Sequence, residues 1–150
     1  MSHSKNEIFS QFATATIKAQ SEFKSFLRSK FKEHQIDLTF EMLQVLTHLW
    51  EKDGVNQQEL ANLLHKDKAS LTYLIDNLSK RGLVKRTEDA DDRRNKIITL
   101  QPEAIRMKNV LRPWVDEMYG IAGKNIPVQQ LKEGILMYGK MVENFEKMRE

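Results

Sequence analysis

Residues 56–100, NQQELANLLHKDKASLTYLIDNLSKRGLVKRTEDADDRRNKIITL, decide the fold. Asn56 stands where a helix N-cap belongs, and Glu59, three residues on, has capping-box spacing ahead of Leu60, Leu63 and Leu64. After a very short connection Asp67 opens a second helix. In it Leu71, Leu74, Ile75 and Leu78 fall within one narrow arc, while Ala69, Thr72, Tyr73, Asp76 and Lys80 point the other way. Arg81-Gly82 ends that helix, because glycine tolerates the left-handed conformation of a helix stop. Leu83 to Arg86 and Lys96 to Leu100 are β-prone and flank the polar run Thr87 to Asn95, which makes a hairpin. The order helix, short turn, helix, hairpin is that of a winged helix-turn-helix. Its second helix suits a DNA major groove, and its charged hairpin tip reaches backbone or the adjacent minor groove.

Working outward, Thr39 is placed as an N-cap with Glu41 in the first turn, followed by Leu43, Leu46 and Trp50 at helical spacing; this helix stops near Asp53-Gly54. Upstream, Ile8, Phe12, Ala15, Ala19, Phe23 and Phe26 recur at steps of three and four from Lys5 to about Phe31. Such a helix extends on the order of 40 Å, more than one face of a small domain covers. Downstream, Pro102 suits a first turn, and Ile105, Lys108, Leu111, Val115, Met118 and Ala122 continue a helix in which Pro113 is expected to force a kink or break. Asn125-Ile126-Pro127 is a joint. After it Val128, Leu131, Ile135, Tyr138, Val142 and Phe145 form the cleanest stripe in the chain, interrupted by Gly134 and Gly139. The fold class is therefore mainly α with a small β-hairpin wing. A winged lobe (39–100) is flanked by a helical lobe for dimerisation (1–38 and 101–150).

Composition narrows the function classes. The 150 residues include no Cys, so no thiol nucleophile, thiolate metal site or disulfide framework exists. The chain lacks a secretory signal pattern and an apolar run long enough for a membrane span, which points to a cytoplasmic protein. Its net charge of +3 is only mildly basic. Residues 56–100 hold nine Lys/Arg against seven Asp/Glu, yet the bases gather at the start of the second helix, at its end, and in the wing, where phosphates would pass. His3, His34, His48 and His65 lack paired metal spacing, so no metal is expected. No phosphate loop or nucleophile elbow is present, no cofactor is implied, and an enzyme is the poorest of the readings.

Gln58-Glu59-Leu60-Ala61, then Asp67-Lys68-Ala69-Ser70-Leu71-Thr72 leading to Leu78, Lys80-Arg81-Gly82-Leu83-Val84, and Asp92-Arg93-Arg94-Asn95-Lys96 through Leu100 resemble the MarR family of bacterial transcriptional regulators. The resemblance implies a homodimer whose terminal helices interlock, each subunit presenting one winged helix to half of a pseudo-palindromic site on double-stranded DNA. Long terminal stripes point the same way independently, with Ile8, Phe12, Val128, Leu131, Ile135, Tyr138, Val142 and Phe145 as interface candidates. By analogy with such families, the N-terminal half of the recognition helix meets base edges, which nominates Lys68, Ser70, Thr72, Tyr73 and Asn77, flanked by His65 and Lys66. Asp92-Arg93-Arg94 resembles the family's Asp-x-Arg, whose arginine enters the minor groove oriented by its acidic neighbour. Lys80, Arg86 and Lys96 are phosphate contacts or solvated charges. Tyr73 has a competing role packed against the wing, and Asp92 one in holding the hairpin turn.

The resemblance also implies a cleft for an aromatic or amphipathic anionic effector. Phe12, Phe40, Trp50, Trp114 and Met118 are its candidate lining, with His48 and Arg112 as polar partners; aromatics at this spacing are more often core. The expected function is a sequence-specific, ligand-responsive transcriptional regulator, a repressor ahead of an activator. A competing function is a winged-helix module for protein association, which would show no salt-sensitive duplex binding.

Overall fold

The computed structural model describes residues 2–150. Among the described residues there are six helices and three strands: α1 (Lys5–Glu33), α2 (Phe40–Glu51), β1 (Val55–Asn56), α3 (Gln57–Leu63), α4 (Lys68–Lys80), β2 (Val84–Glu88), β3 (Lys96–Leu100), α5 (Pro102–Ala122) and α6 (Val128–Arg149). The chain divides into two compact units, one ending at Val115 and one spanning Asp116–Glu150.

In the first unit the core is built from α2, α3, α4 and the sheet. Val45, Leu46, Leu49, Leu60, Leu71, Ile75, Leu78 and Ile98 are among its fully buried side chains. The predicted arc of α4 is thus the buried arc. The starts of α2, α3 and α4 are each fixed by a capping side chain. Thr39 accepts from the Met42 N–H at 3.1 Å, Asn56 from Gln58 and Glu59, and Asp67 from Ser70 at 2.7 Å. The capping box expected at Asn56 is only half made: Glu59 turns outward to Lys52 at 3.6 Å instead of reaching back. A full box forms at the start of α1, where Ser4 and Glu7 exchange both bonds.

The hairpin is larger than expected. Val55 and Asn56 pair with Ile98 and Ile97, which makes a three-stranded antiparallel sheet of order β1-β3-β2. Asp53 secures that extra strand, its Oδ1 accepting the Gly54 and Leu100 N–H groups at 2.8 Å each. Trp50 Nε1 donates to the Ala104 carbonyl at 2.9 Å and so ties α2 to the start of α5. Pro113 does not break α5, which is helical from Pro102 to Ala122. The boundary of the first unit falls two residues later.

α1 buries only Leu27 and Phe31, at its C-terminal end, while Ile8, Ala15 and Ala19 are exposed and Phe12, Phe23 and Phe26 half-buried. In the second unit α6 buries none of its residues. Val128, Leu131, Ile135, Tyr138, Val142 and Phe145 are all exposed, as are Leu136 and Met148. A Cβ added at Gly134 or Gly139 would meet open space in the single chain.

Candidate nucleic-acid interface

The turn between α3 and α4 is made by His65 in the left-handed region (φ 51°), with the Lys66 N–H closing on the Ala61 carbonyl at 3.0 Å. That closure aims the start of α4 outward. Asp67 then accepts both the backbone N–H and the hydroxyl of Ser70, so Ser70 spends its one hydroxyl proton on the cap and faces outward with lone pairs only. The two Ser70 bonds hold the Asp67 carboxyl below its ordinary value of 3.8, keeping a charged cap at the head of the helix.

Along α4, Lys68, Ala69, Ser70 and Tyr73 are exposed. Tyr73 is 69% exposed, which removes the competing role of packing against the wing. Asn77 spends its amide donor on the Tyr73 carbonyl at 2.8 Å, and its own carbonyl receives Arg81, so it braces the helix end. Arg81 in turn grips Asp37 through Nη2 at 3.0 Å and the Asp37 carbonyl through Nε. Lys66, Lys68, Lys80 and Arg93 make no ion pair among the described residues.

Asp92 holds the hairpin turn and lies beside Arg94. Its Oδ1 accepts the Arg94 N–H at 3.0 Å and its carbonyl the Asn95 N–H at 2.9 Å, which shapes the turn; the same Oδ1 lies 3.6 Å from Arg94 Nε. The Arg94 side chain is nevertheless 93% exposed. Asp89 fastens the base of the loop, accepting from the Asp91 N–H and the Asn95 amide, and these bonds lower its pKa. Lys96 pairs with Glu88 across the hairpin at 2.8 Å. A concavity of about 150 Å³ brings Lys68 from α4 together with Arg94 and Lys96 from the wing.

Arg86 departs from its expected place. It is half-buried, with Nε donating to Gln57 Oε1 at 3.0 Å and Nη2 lying 2.9 Å from Asp76 Oδ1, an ion pair whose angle falls outside hydrogen-bond geometry. A neutralised, half-buried arginine is poorly placed for a phosphate. Gln57 carries no motif value in the sequence, because its partners are 15 and 29 residues away.

The residues nominated for an effector are dispersed. Phe40 borders a cleft of about 190 Å³ with Lys24, Arg28, Phe31 and Leu38, and Lys24 sits 5.7 Å above the Phe40 ring and 3.6 Å from Glu41. Lys24 and Arg28 were not foreseen; they lie on the polar side of the α1 stripe. Trp114 stacks on His34 with centroids 4.5 Å apart, Phe12 meets Phe9 edge-on at 6.0 Å, and Trp50 is engaged by Ala104. His48 is half-buried, Arg112 is exposed, and Met118 is buried within the second unit. Among the described residues no cluster of three His, Asp or Glu could hold a metal, and no helix is long and apolar enough to cross a membrane.

Residues 38–96 match the model of the MarR family. The HTH-type transcriptional regulator SarZ of Staphylococcus haemolyticus is 31% identical over 88 residues, which cover 59% of this chain and 58% of that protein. The HTH-type transcriptional regulator TtmR of Methylorubrum extorquens is 29% identical over 117 residues, 78% of this chain and 59% of that one. The match thus spans somewhat under two thirds of these relatives' length. Among solved structures, reduced AbfR bound to DNA superposes with a TM-score of 0.77 at 20% identity, covering 100% of both chains, and shares the fold.

Proposed function

We propose that the chain is a MarR-family transcriptional regulator that binds double-stranded DNA sequence-specifically, as a homodimer on a pseudo-palindromic operator. It acts as a repressor in the cytoplasm, and a small aromatic or amphipathic anion modulates its grip. Binding rather than catalysis is its task.

The observation that carries this proposal is the convergence of Lys68, Arg94 and Lys96 on one concavity, beside an α4 face that exposes Ser70 and Tyr73. A helix start that presents a hydroxyl and a phenol suits base edges, and cations on both sides suit phosphates. The first two relatives carry the name of HTH-type transcriptional regulators, and a neighbour of the same fold was solved on DNA. Homodimerisation is supported by the unburied stripe of α6, an amphipathic helix that a single chain leaves in water. The proposed division of labour puts 39–100 on DNA and 1–38 with 101–150 at the dimer seam. The cleft that pairs Phe40 with Lys24 and Arg28 offers an aromatic wall and two cations to an anionic effector.

Selection of duplexes by the full-length chain from a randomised pool tests the proposal. The expected outcome is enrichment of two inverted half-sites about one helical turn, roughly 10 base pairs, apart. A pool without enrichment, or with a single unrepeated half-site, would overturn it.

A further inference from the structure

Four half-buried side chains from three elements meet at the edge of the exposed face of α4. Arg86 Nε on β2 donates to Gln57 Oε1 at 3.0 Å; Gln57 Nε2, at the start of α3, donates to Thr72 Oγ1 at 3.1 Å; and Arg86 Nη2 lies 2.9 Å from Asp76, one turn beyond Thr72 on the same helix. The direction of this chain is set by chemistry. An arginine offers donors only, so the carboxamide must turn its oxygen to Arg86 and its NH2 group to Thr72. Thr72 Oγ1 is thereby an acceptor, and its own proton has to go elsewhere. Thr16 and Thr47 send theirs to the carbonyl four residues back, at 3.0 and 2.8 Å. Thr72 makes no such bond among the described residues.

The geometry points to Gln57 as a positioning residue, held by Arg86, that fixes Thr72 as a hydrogen-bond donor toward DNA. It rests on the proposed DNA-binding function and adds a polarity to it: the atom met by Thr72 is an acceptor. Guanine O6 and N7, adenine N7, thymine O4 and phosphate oxygens qualify, whereas the amino groups of cytosine and adenine do not. Arg86 accordingly acts through Gln57 and makes no contact with DNA itself.

The test is a double-mutant cycle on the full-length chain, with the duplex selected by the wild type, read by fluorescence anisotropy and with melting temperatures in parallel. Gln57→Glu keeps size and keeps the bond to Arg86 but has no NH2, so the Thr72 hydroxyl turns back to donate to the carboxylate. Thr72→Val removes the hydroxyl at constant shape. Each variant is expected to bind about tenfold more weakly, the summed cost of one lost hydrogen bond in each of two protomers; Gln57→Glu keeps the wild-type melting temperature, while Thr72→Val, which leaves the Gln57 NH2 group without its acceptor, lowers it by about 2–4 °C. The double variant is expected to bind no more weakly than Thr72→Val alone, because both changes delete the same donor.

Wild-type affinity in Gln57→Glu overturns the inference. So does a Gln57→Glu penalty that persists undiminished in the Thr72→Val background, which would mean that the new charge simply repels phosphate. Methylphosphonate and 7-deazapurine substitutions in the duplex separate a phosphate acceptor from a purine N7: the one that matters costs affinity in the wild type and nothing in Thr72→Val. If wild-type chain enriches no duplex at all, the DNA-binding proposal has failed first, and the donor role assigned to Thr72 falls with it.

Discussion

Two arginines ten residues or fewer apart in sequence should respond to alanine in opposite ways. Arg94 is 93% exposed at its side chain, and its one charged partner, Asp92, stands 3.6 Å away. A screened contact of that kind is worth roughly 0–0.5 kcal/mol, so Arg94→Ala leaves stability almost untouched. Its loss on DNA is larger. A good contact contributes ~1–3 kcal/mol, and a homodimer carries the substitution twice at well-separated sites, which gives ~2–6 kcal/mol and at least about thirtyfold weaker binding. Arg86→Ala takes away a charge-assisted bond to Gln57 and an ion pair to Asp76 from a half-buried site, and costs the fold ~1–2 kcal/mol, or about 2–8 °C in melting temperature. Thermal melts and anisotropy on the same preparations give both quantities. Arg94→Ala with unimpaired affinity, or with a melting temperature lowered as far as that of Arg86→Ala, would refute the assignment of Arg94 to the wing contact.

Further outcomes follow from the same contacts. Ile135→Lys, at an exposed position of α6, should shift sedimentation from dimer to a folded monomer; a wild-type chain that sediments as a monomer removes the helical-seam model. Asp53→Ala deprives the Gly54 and Leu100 N–H groups of their acceptor and should cost ~1–2 kcal/mol in denaturant, whereas Asp53→Asn keeps the oxygen and most of the stability. Asp67 and Asp89 have folded pKa values depressed by Ser70 and by Asp91 with Asn95, so their contribution is fully present above the ordinary 3.8 and is lost as pH falls through the lower folded values. The Ser70 and Asp91 amide resonances should therefore keep their native positions at about pH 4.5 and move only on further acidification. Movement already near neutral pH would contradict the cap and turn geometry.

Several roles settled within a turn or two of chain were legible in the sequence. Thr39, Asn56 and Asp67 cap their helices because a short oxygen-bearing side chain before an apolar-periodic run has a backbone N–H in reach. Gly82 at φ 70° ends α4 with the Leu83 N–H on the Leu78 carbonyl. The same closure ends α1 at Gln35 and α3 at His65, both in the left-handed region without glycine, and no residue type announced it. There the surrounding packing holds a conformation that local preference opposes.

What escaped was long-range. Val55–Asn56 is too short to carry an alternation, and it is a strand only because β3 lies beside it. Arg86 has the composition of a DNA contact, yet its fate is decided by Gln57 and Asp76, on elements that only the fold brings near. Arg94 and Lys68 both stay exposed, Lys68 without an ion pair among the described residues and Arg94 with Asp92 at 3.6 Å. The α1 stripe was visible, but its burial was not: Leu27 and Phe31 go inside, one step around the helix from Phe26.

The most direct test is an anisotropy titration of the wild-type chain on its selected duplex at several salt concentrations. Engagement of about five to ten phosphates by the paired wings and recognition helices predicts that log K falls linearly with log salt at a slope of about −4.5 to −9, with a scrambled duplex bound far more weakly throughout. Equal binding of selected and scrambled duplex, or a slope near zero, would contradict it.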